Sequence, residues 1–126
     1  MRLLLDSNAL FWYVSEPENL RAETFAAIDD PDSEIYFSAV NLWELAIKRA
    51  KGKLEFEDSE MLDAVGTQNF VELPVTSRYG LEAAALPPYH SDPFDRMLIA
   101  QARLEHLTLV TSDRQFSQYR VLLMEA

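Results

Sequence analysis

The sequence predicts an α/β fold, with a central, mostly parallel sheet and helices on both faces. Three observations lead there. Short runs of β-favouring residues alternate with helical stretches along the whole chain. The first run, Arg2-Leu-Leu-Leu-Asp6, is continuously apolar rather than alternating, as expected of a strand covered on both faces in a parallel sheet. The 126 residues are 48% apolar and carry no internal repeat, low-complexity tract or linker, so they are read as a single domain, 1–126, with a real core.

The elements follow in order. Residues 2–6 form the first strand and 9–14, Ala-Leu-Phe-Trp-Tyr-Val, a short apolar helix ended by Glu16-Pro17. Residues 18–29 are predicted as a second helix with Leu20, Phe25, Ala26 and Ile28 inward, and Asp29 to Ser33 as a turn. Glu34 to Phe37 is a short strand. Ser38 is an N-cap for a helix to Ala50, whose basic end suits the helix dipole and whose stop is Gly52. A polar helix over 57–66, a strand over 70–73 closed by Pro74, and a helix over 77–86 ended by Pro87-Pro88 come next. Tyr89-His90-Ser91 is a loop, and His90 is read as a loop histidine rather than a metal ligand, because no other His or Cys accompanies it. In the stretch 91–102, Ser-Asp-Pro-Phe-Asp-Arg-Met-Leu-Ile-Ala-Gln-Ala, Asp92 is the N-cap, Pro93 the first helical residue, and an apolar helix follows. Leu107 to Thr111 is a buried strand, Asp113 caps a short helical turn, and 121–123 is a final strand.

Charge narrows the function classes. The net charge of −10 argues against a general nucleic-acid binder with a basic stripe. No cysteine is present, which excludes disulfides, thiolate zinc sites and a cysteine nucleophile and suits a reducing cytoplasm. The N-terminus is not read as a signal peptide, and no apolar run reaches the ~18 residues of a membrane span.

Four acids stand at comparable places. Asp6 and Asp113 follow buried strands, and Glu44 and Asp95 lie in helices that follow loops. In a parallel sheet, strand ends and the next helix starts share one edge. Two like charges about 4 Å apart cost on the order of 4 kcal/mol at an effective dielectric of 20, so such a cluster calls for a bound cation. Oxygen-only ligands select hard ions such as Mg²⁺ or Mn²⁺, whose remaining positions suit substrate phosphates and an activated water. Two other readings stay open from the residues alone. Asp6, before a Ser-Asn loop, also suits the covalent nucleophile of a phosphatase or phosphotransferase, although no Gly-rich phosphate cradle accompanies it. An acidic, non-catalytic module that binds a basic peptide also fits the charge.

The segments LLLDSNAL at 3–10, SAVNLWELAIKRAKGKL at 38–54, DPFDRMLIAQA at 92–102 and TLVTSD at 108–113 resemble the PIN-domain ribonucleases, most closely the VapC-type toxins of toxin–antitoxin pairs. The resemblance implies a three-layer α/β/α sandwich and Mg²⁺- or Mn²⁺-dependent cleavage of RNA. It also implies a homodimer and a cognate antitoxin that blocks the site. It makes Asp6, Glu44, Asp95 and Asp113 the catalytic, metal-holding acids, with Ser7 and Thr111 as supporting hydroxyls. Lys48, Arg49 and Arg96 are then expected on substrate phosphates.

Overall fold

The computed structural model describes residues 1–126. Five strands, β1 (Arg2–Leu5), β2 (Glu34–Ser38), β3 (Val71–Leu73), β4 (Thr108–Thr111) and β5 (Leu123–Glu125), form one sheet in the order β3-β2-β1-β4-β5. All four neighbouring pairs are parallel. The connecting helices are α1 (Ser7–Ser15), α2 (Ala22–Asp29), α3 (Ala39–Ala50), α4 (Asp58–Thr67), α5 (Ser77–Ala85) and α6 (Pro93–Glu105). Short 3₁₀ turns lie at Pro17–Asn19 and Arg114–Gln118.

The continuous leucines of β1 are the reason for three layers. Successive strand side chains point to opposite faces. Leu3 and Leu5 join one core with Leu10 of α1, Ile28 of α2 and Met61 and Val65 of α4. Leu4 joins the other with Leu98, Ile99 and Ala102 of α6, together with Leu86, Leu109 and Phe116. All three leucines are fully buried, each worth about 1.5–3 kcal/mol of burial.

Element edges depart from the sequence reading by more than one residue in three places. Helix α1 starts at Ser7, two residues early, because Asp6 caps it. The helix expected over 18–29 is divided: Leu20 and Arg21 are extended, Leu20 is buried as a plug, and α2 begins only where Arg21 O accepts from Thr24 and Phe25. The last strand lies over Leu123–Glu125 rather than 121–123, since its register pairs Leu109 with Leu123 and Thr111 with Glu125. Buried Thr24 ties α2 to this edge strand by donating to Glu125 O at 2.6 Å. No helix is long and apolar enough to cross a membrane.

Candidate metal centre

The carboxyl ends of β1 and β4 and the N-terminal part of α6 meet at one edge of the sheet. Asp6 leaves β1 with its N–H still in the ladder, donating to Val110 O at 3.0 Å. Its Oδ1 accepts from Ala9 N–H at 2.8 Å, which caps α1. Capping and site roles therefore coexist, because one carboxylate oxygen serves the cap and the other stays outside it. Burial, the largest influence, pushes the Asp6 carboxyl up to about 6. The Ala9 N–H and the Thr111 hydroxyl oppose that shift, Glu44 adds to it, and Lys48 opposes it. Thr111 Oγ1 also accepts from Asp113 N–H at 3.0 Å, so one hydroxyl links two of the acids. Asp113 repeats the pattern of Asp6: Oδ1 accepts from Gln115 N–H at 2.9 Å, while Oδ2 faces the site.

At the entrance to α6, Asp92 Oδ1 accepts from Phe94 N–H at 2.8 Å and from Asp95 N–H at 3.3 Å, and Pro93 takes the first helical position. Asp95 lies in the first turn, which places its carboxylate near the positive end of the helix. That help is outweighed. Burial pushes the Asp95 carboxyl up to about 7, with Asp92 and then Glu44 adding to the shift, His90 opposing it and Asp6 adding again. Glu44 comes from the middle of α3, its side chain only 13% exposed and 3.9 Å from Lys48 Nζ.

The carboxylates gather into two overlapping groups. One oxygen each from Glu44, Asp92 and Asp95 lie within 4.8 Å of one another, as do ligand atoms of His90, Asp95 and Asp113. Asp95 belongs to both. Asp6 is in neither group, but its charge bears on Asp95, and that of Glu44 bears on it. The structure thus brings together the four acids singled out in the sequence. Ser7 lies beside them as a brace: its Oγ accepts from Asn41 Nδ2 at 3.1 Å, and Asn41 Oδ1 accepts from Ser38 N–H at 2.6 Å in the capping box of α3.

The three basic residues divide. Lys48 lies beside the acids. Arg49 donates to Phe56 O at 3.1 Å and to Asp58 at 2.6 Å, with its guanidinium 4.4 Å from the centre of the Phe56 ring. Arg96 donates to Ala83 O, Leu86 O, Pro87 O and His90 O at 2.8–3.1 Å. Both arginines are therefore engaged within the chain rather than turned out for phosphate.

Two further residues belong to the cluster. Asp92 and Asp95 both fall near the site in the sequence, where Asp95 is taken as the metal-site acid and Asp92 as the cap; the structure gives Asp92 both places, capping α6 and setting its charge beside Asp95. His90, read as a solitary loop histidine, is in a loop but has its side chain only 9% exposed, with Nε2 2.9 Å from Asp95 Oδ2 and 3.1 Å from Asp113 Oδ2. Its one sequence signal is position, two residues ahead of the cap of the helix that carries Asp95.

Oxygens dominate this donor set, and they converge with a single lysine nearby, which suits a hard divalent cation. Comparisons with known proteins agree with the fold. The family model described as "PIN domain" matches residues 3–122. Ribonuclease VapC22 of Mycobacterium tuberculosis is 29% identical over 121 residues, covering 94% of this chain and 92% of that protein. The crystal structure of VapBC2 from Rickettsia felis, bound to a DNA fragment from their promoter, superposes with a TM-score of 0.76 at 17% identity, covering 99% of this chain and 98% of that one. DNA-bound VapBC from Salmonella typhimurium superposes with a TM-score of 0.67, also at 17% identity, with the same coverage of 99% and 98%.

Proposed function

The chain belongs to the PIN-domain family, and from that premise we propose that it is a divalent-metal-dependent endoribonuclease acting as the toxin of a toxin–antitoxin pair. The observation that carries this reading is the gathering of Glu44, Asp92, Asp95 and Asp113 into two overlapping groups that share Asp95, with Asp6 close enough for its charge to bear on Asp95. A relative along nearly the full length is a named ribonuclease, and the structural neighbours were solved as VapBC complexes.

Asp6, Glu44, Asp95 and Asp113 would hold Mg²⁺ or Mn²⁺, with Asp92 adding negative charge beside them. When bound, the ion supplies an activated water and neutralises charge developing on the scissile phosphate. The chain's own residues do the rest. The capped aspartates are fixed in orientation by backbone N–H groups, so little reorganisation is left for the reaction. Glu44 and Asp95 cap no helix, and Glu44, reaching in from the middle of α3, has its carboxylate free to orient the attacking water. Lys48, 3.9 Å from Glu44, is the cation placed to meet a substrate phosphate beside the acids. Cellular RNA as substrate places the activity in the cytoplasm. A cognate antitoxin would cover this edge, and a second copy of the chain would cover apolar surface such as Trp43, 61% exposed on α3, and Leu81, 74% exposed on α5.

The test is cleavage of total cellular RNA by the purified chain with Mn²⁺, with Mg²⁺ and with EDTA, beside Asp95→Asn. Discrete products that need the metal and vanish in the variant are expected. Metal-independent cleavage, or full activity in Asp95→Asn, would sink the assignment.

A further inference from the structure

The hydrogen bonds around His90 fix the form of its ring. Asp92 N–H donates to Nδ1 at 3.2 Å, and a backbone N–H can only donate. Nδ1 therefore presents its lone pair, which leaves Nε2 as the donor of the ring. That Nε2–H is aimed between two carboxylates, at 2.9 Å from Asp95 Oδ2 and 3.1 Å from Asp113 Oδ2. A nitrogen that carries its proton has no lone pair for a metal, so in this arrangement Nε2 faces the two acids as a hydrogen-bond donor.

The peptide that bears this ring is gripped on both sides. His90 N–H donates to the Tyr119 hydroxyl at 2.9 Å, and that hydroxyl donates to Pro87 O at 2.7 Å. His90 O accepts from Arg96 Nη1 at 3.1 Å. The same guanidinium grips Ala83 O and Leu86 O, each at 2.8 Å, and Pro87 O at 3.0 Å. The ring itself rests on Phe116, 5.7 Å between centroids. Arg96 follows Asp95 directly in α6, so the clamp and the acid it serves ride on one helical turn.

We propose that His90 is a positioning residue that bridges Asp95 and Asp113 through its Nε2–H and sets their spacing for the metal, and that Arg96 and Tyr119 act through it by holding its loop. This rests on the metal-dependent reading of the acid cluster. Without the bridge the two carboxylates repel and separate. Metal-ligating groups are oriented by partners behind them, and loss of such a partner commonly lowers metal affinity 10- to 100-fold.

The experiment is calorimetric Mn²⁺ titration of the purified chain and of His90→Ala, His90→Gln, Tyr119→Phe and Arg96→Lys, each melted first to establish folding. Imidazole ¹⁵N spectra of the wild-type chain are recorded with and without Mg²⁺. The Nε2–H form is expected in both spectra. Mn²⁺ affinity is expected to fall on the order of 10-fold in His90→Ala and less in His90→Gln, which keeps an N–H donor. It is expected to fall in Tyr119→Phe, which deletes one oxygen and keeps the proposal testable should the Arg96 variant fail to fold. An Nδ1–H form whose Nε2 signal moves on adding Mg²⁺ would make His90 a ligand and overturn the proposal. So would affinity in folded His90→Ala within about twofold of wild type. If the wild-type chain binds no Mn²⁺, the metal reading itself falls; binding in wild type with unaltered variants removes only the bridge.

Discussion

At the scale of the residue, Asp95 concentrates the tension of the site. Its carboxyl is pushed up to about 7 and that of Asp6 to about 6, from an ordinary 3.8, burial being the main cause in each. In the unfolded chain both ionise near pH 4. Between there and pH 7 the folded chain holds protons that the unfolded chain has released, so stability falls as pH rises through that window. Above about pH 7 the penalty is complete. The metal-free chain is therefore expected to melt higher at pH 5 than at pH 8, and Asp95→Asn is expected to melt higher than wild type at pH 8, by on the order of 2 kcal/mol once solvent screening at the rim is allowed for. At pH 4 the two should nearly coincide. A variant that melts lower than wild type at pH 8 would mean that Asp95 serves the fold and not the site. The same scale explains what was legible in the sequence. Asp6, Glu44, Asp95 and Asp113 stood out because each interrupts an apolar context at a strand end or in a helix. His90 did not, because its partners, Asp95 and Asp113, meet it only in three dimensions, the second across 23 positions of chain.

At the scale of the element, caps organise the site. Asp6, Asp92 and Asp113 each use Oδ1 to accept from a backbone N–H at the start of a helix or 3₁₀ turn. The residue type that starts a helix well is thus the type that holds a cation, and a cap explanation does not compete with a site explanation. Asp92 separates the two. Asp92→Ser keeps a capping oxygen and removes the charge beside Asp95, whereas Asp92→Ala removes both. In urea at pH 8, Asp92→Ala is expected to be about 1 kcal/mol less stable than Asp92→Ser. Equal stabilities would show that the cap contributes nothing to α6. Element edges were legible where a cap marks them, as at Ser38 and Asp92. They were missed where backbone pairing decides. The apolar Val121-Leu-Leu123 run drew the last strand two residues early, while the ladder with β4 runs from Leu123 to Glu125. Leu20 looked like a helix residue because it is apolar and well placed, yet it is buried in an extended segment ahead of α2.

At the scale of the whole molecule, alternation of strand and helix was enough to give the parallel sheet, and its leucine-filled first strand the layers on either side. The charge was harder to read. A total of −10 points away from nucleic acid when taken as an average, but the distribution matters more: acids that converge on one edge create a local field that a divalent ion reverses. Two effects of added salt are therefore separable. Sodium chloride screens exposed charges and acts weakly on a partly buried cluster. A divalent ion that binds the folded chain and not the unfolded one stabilises by about 2.7 kcal/mol at a hundred times its Kd, several degrees in Tm for a domain of this size. Millimolar Mn²⁺ at pH 7.5 is thus expected to raise Tm, sodium chloride of equal ionic strength to leave it nearly unchanged, and EDTA to reverse the gain. Asp95→Asn should start from a higher Tm and gain little from Mn²⁺, because the substitution relieves the repulsion and removes the ligand together. Equal shifts from Mn²⁺ and sodium chloride would reduce the cluster to general electrostatics, and with it the case for a metal-dependent nuclease.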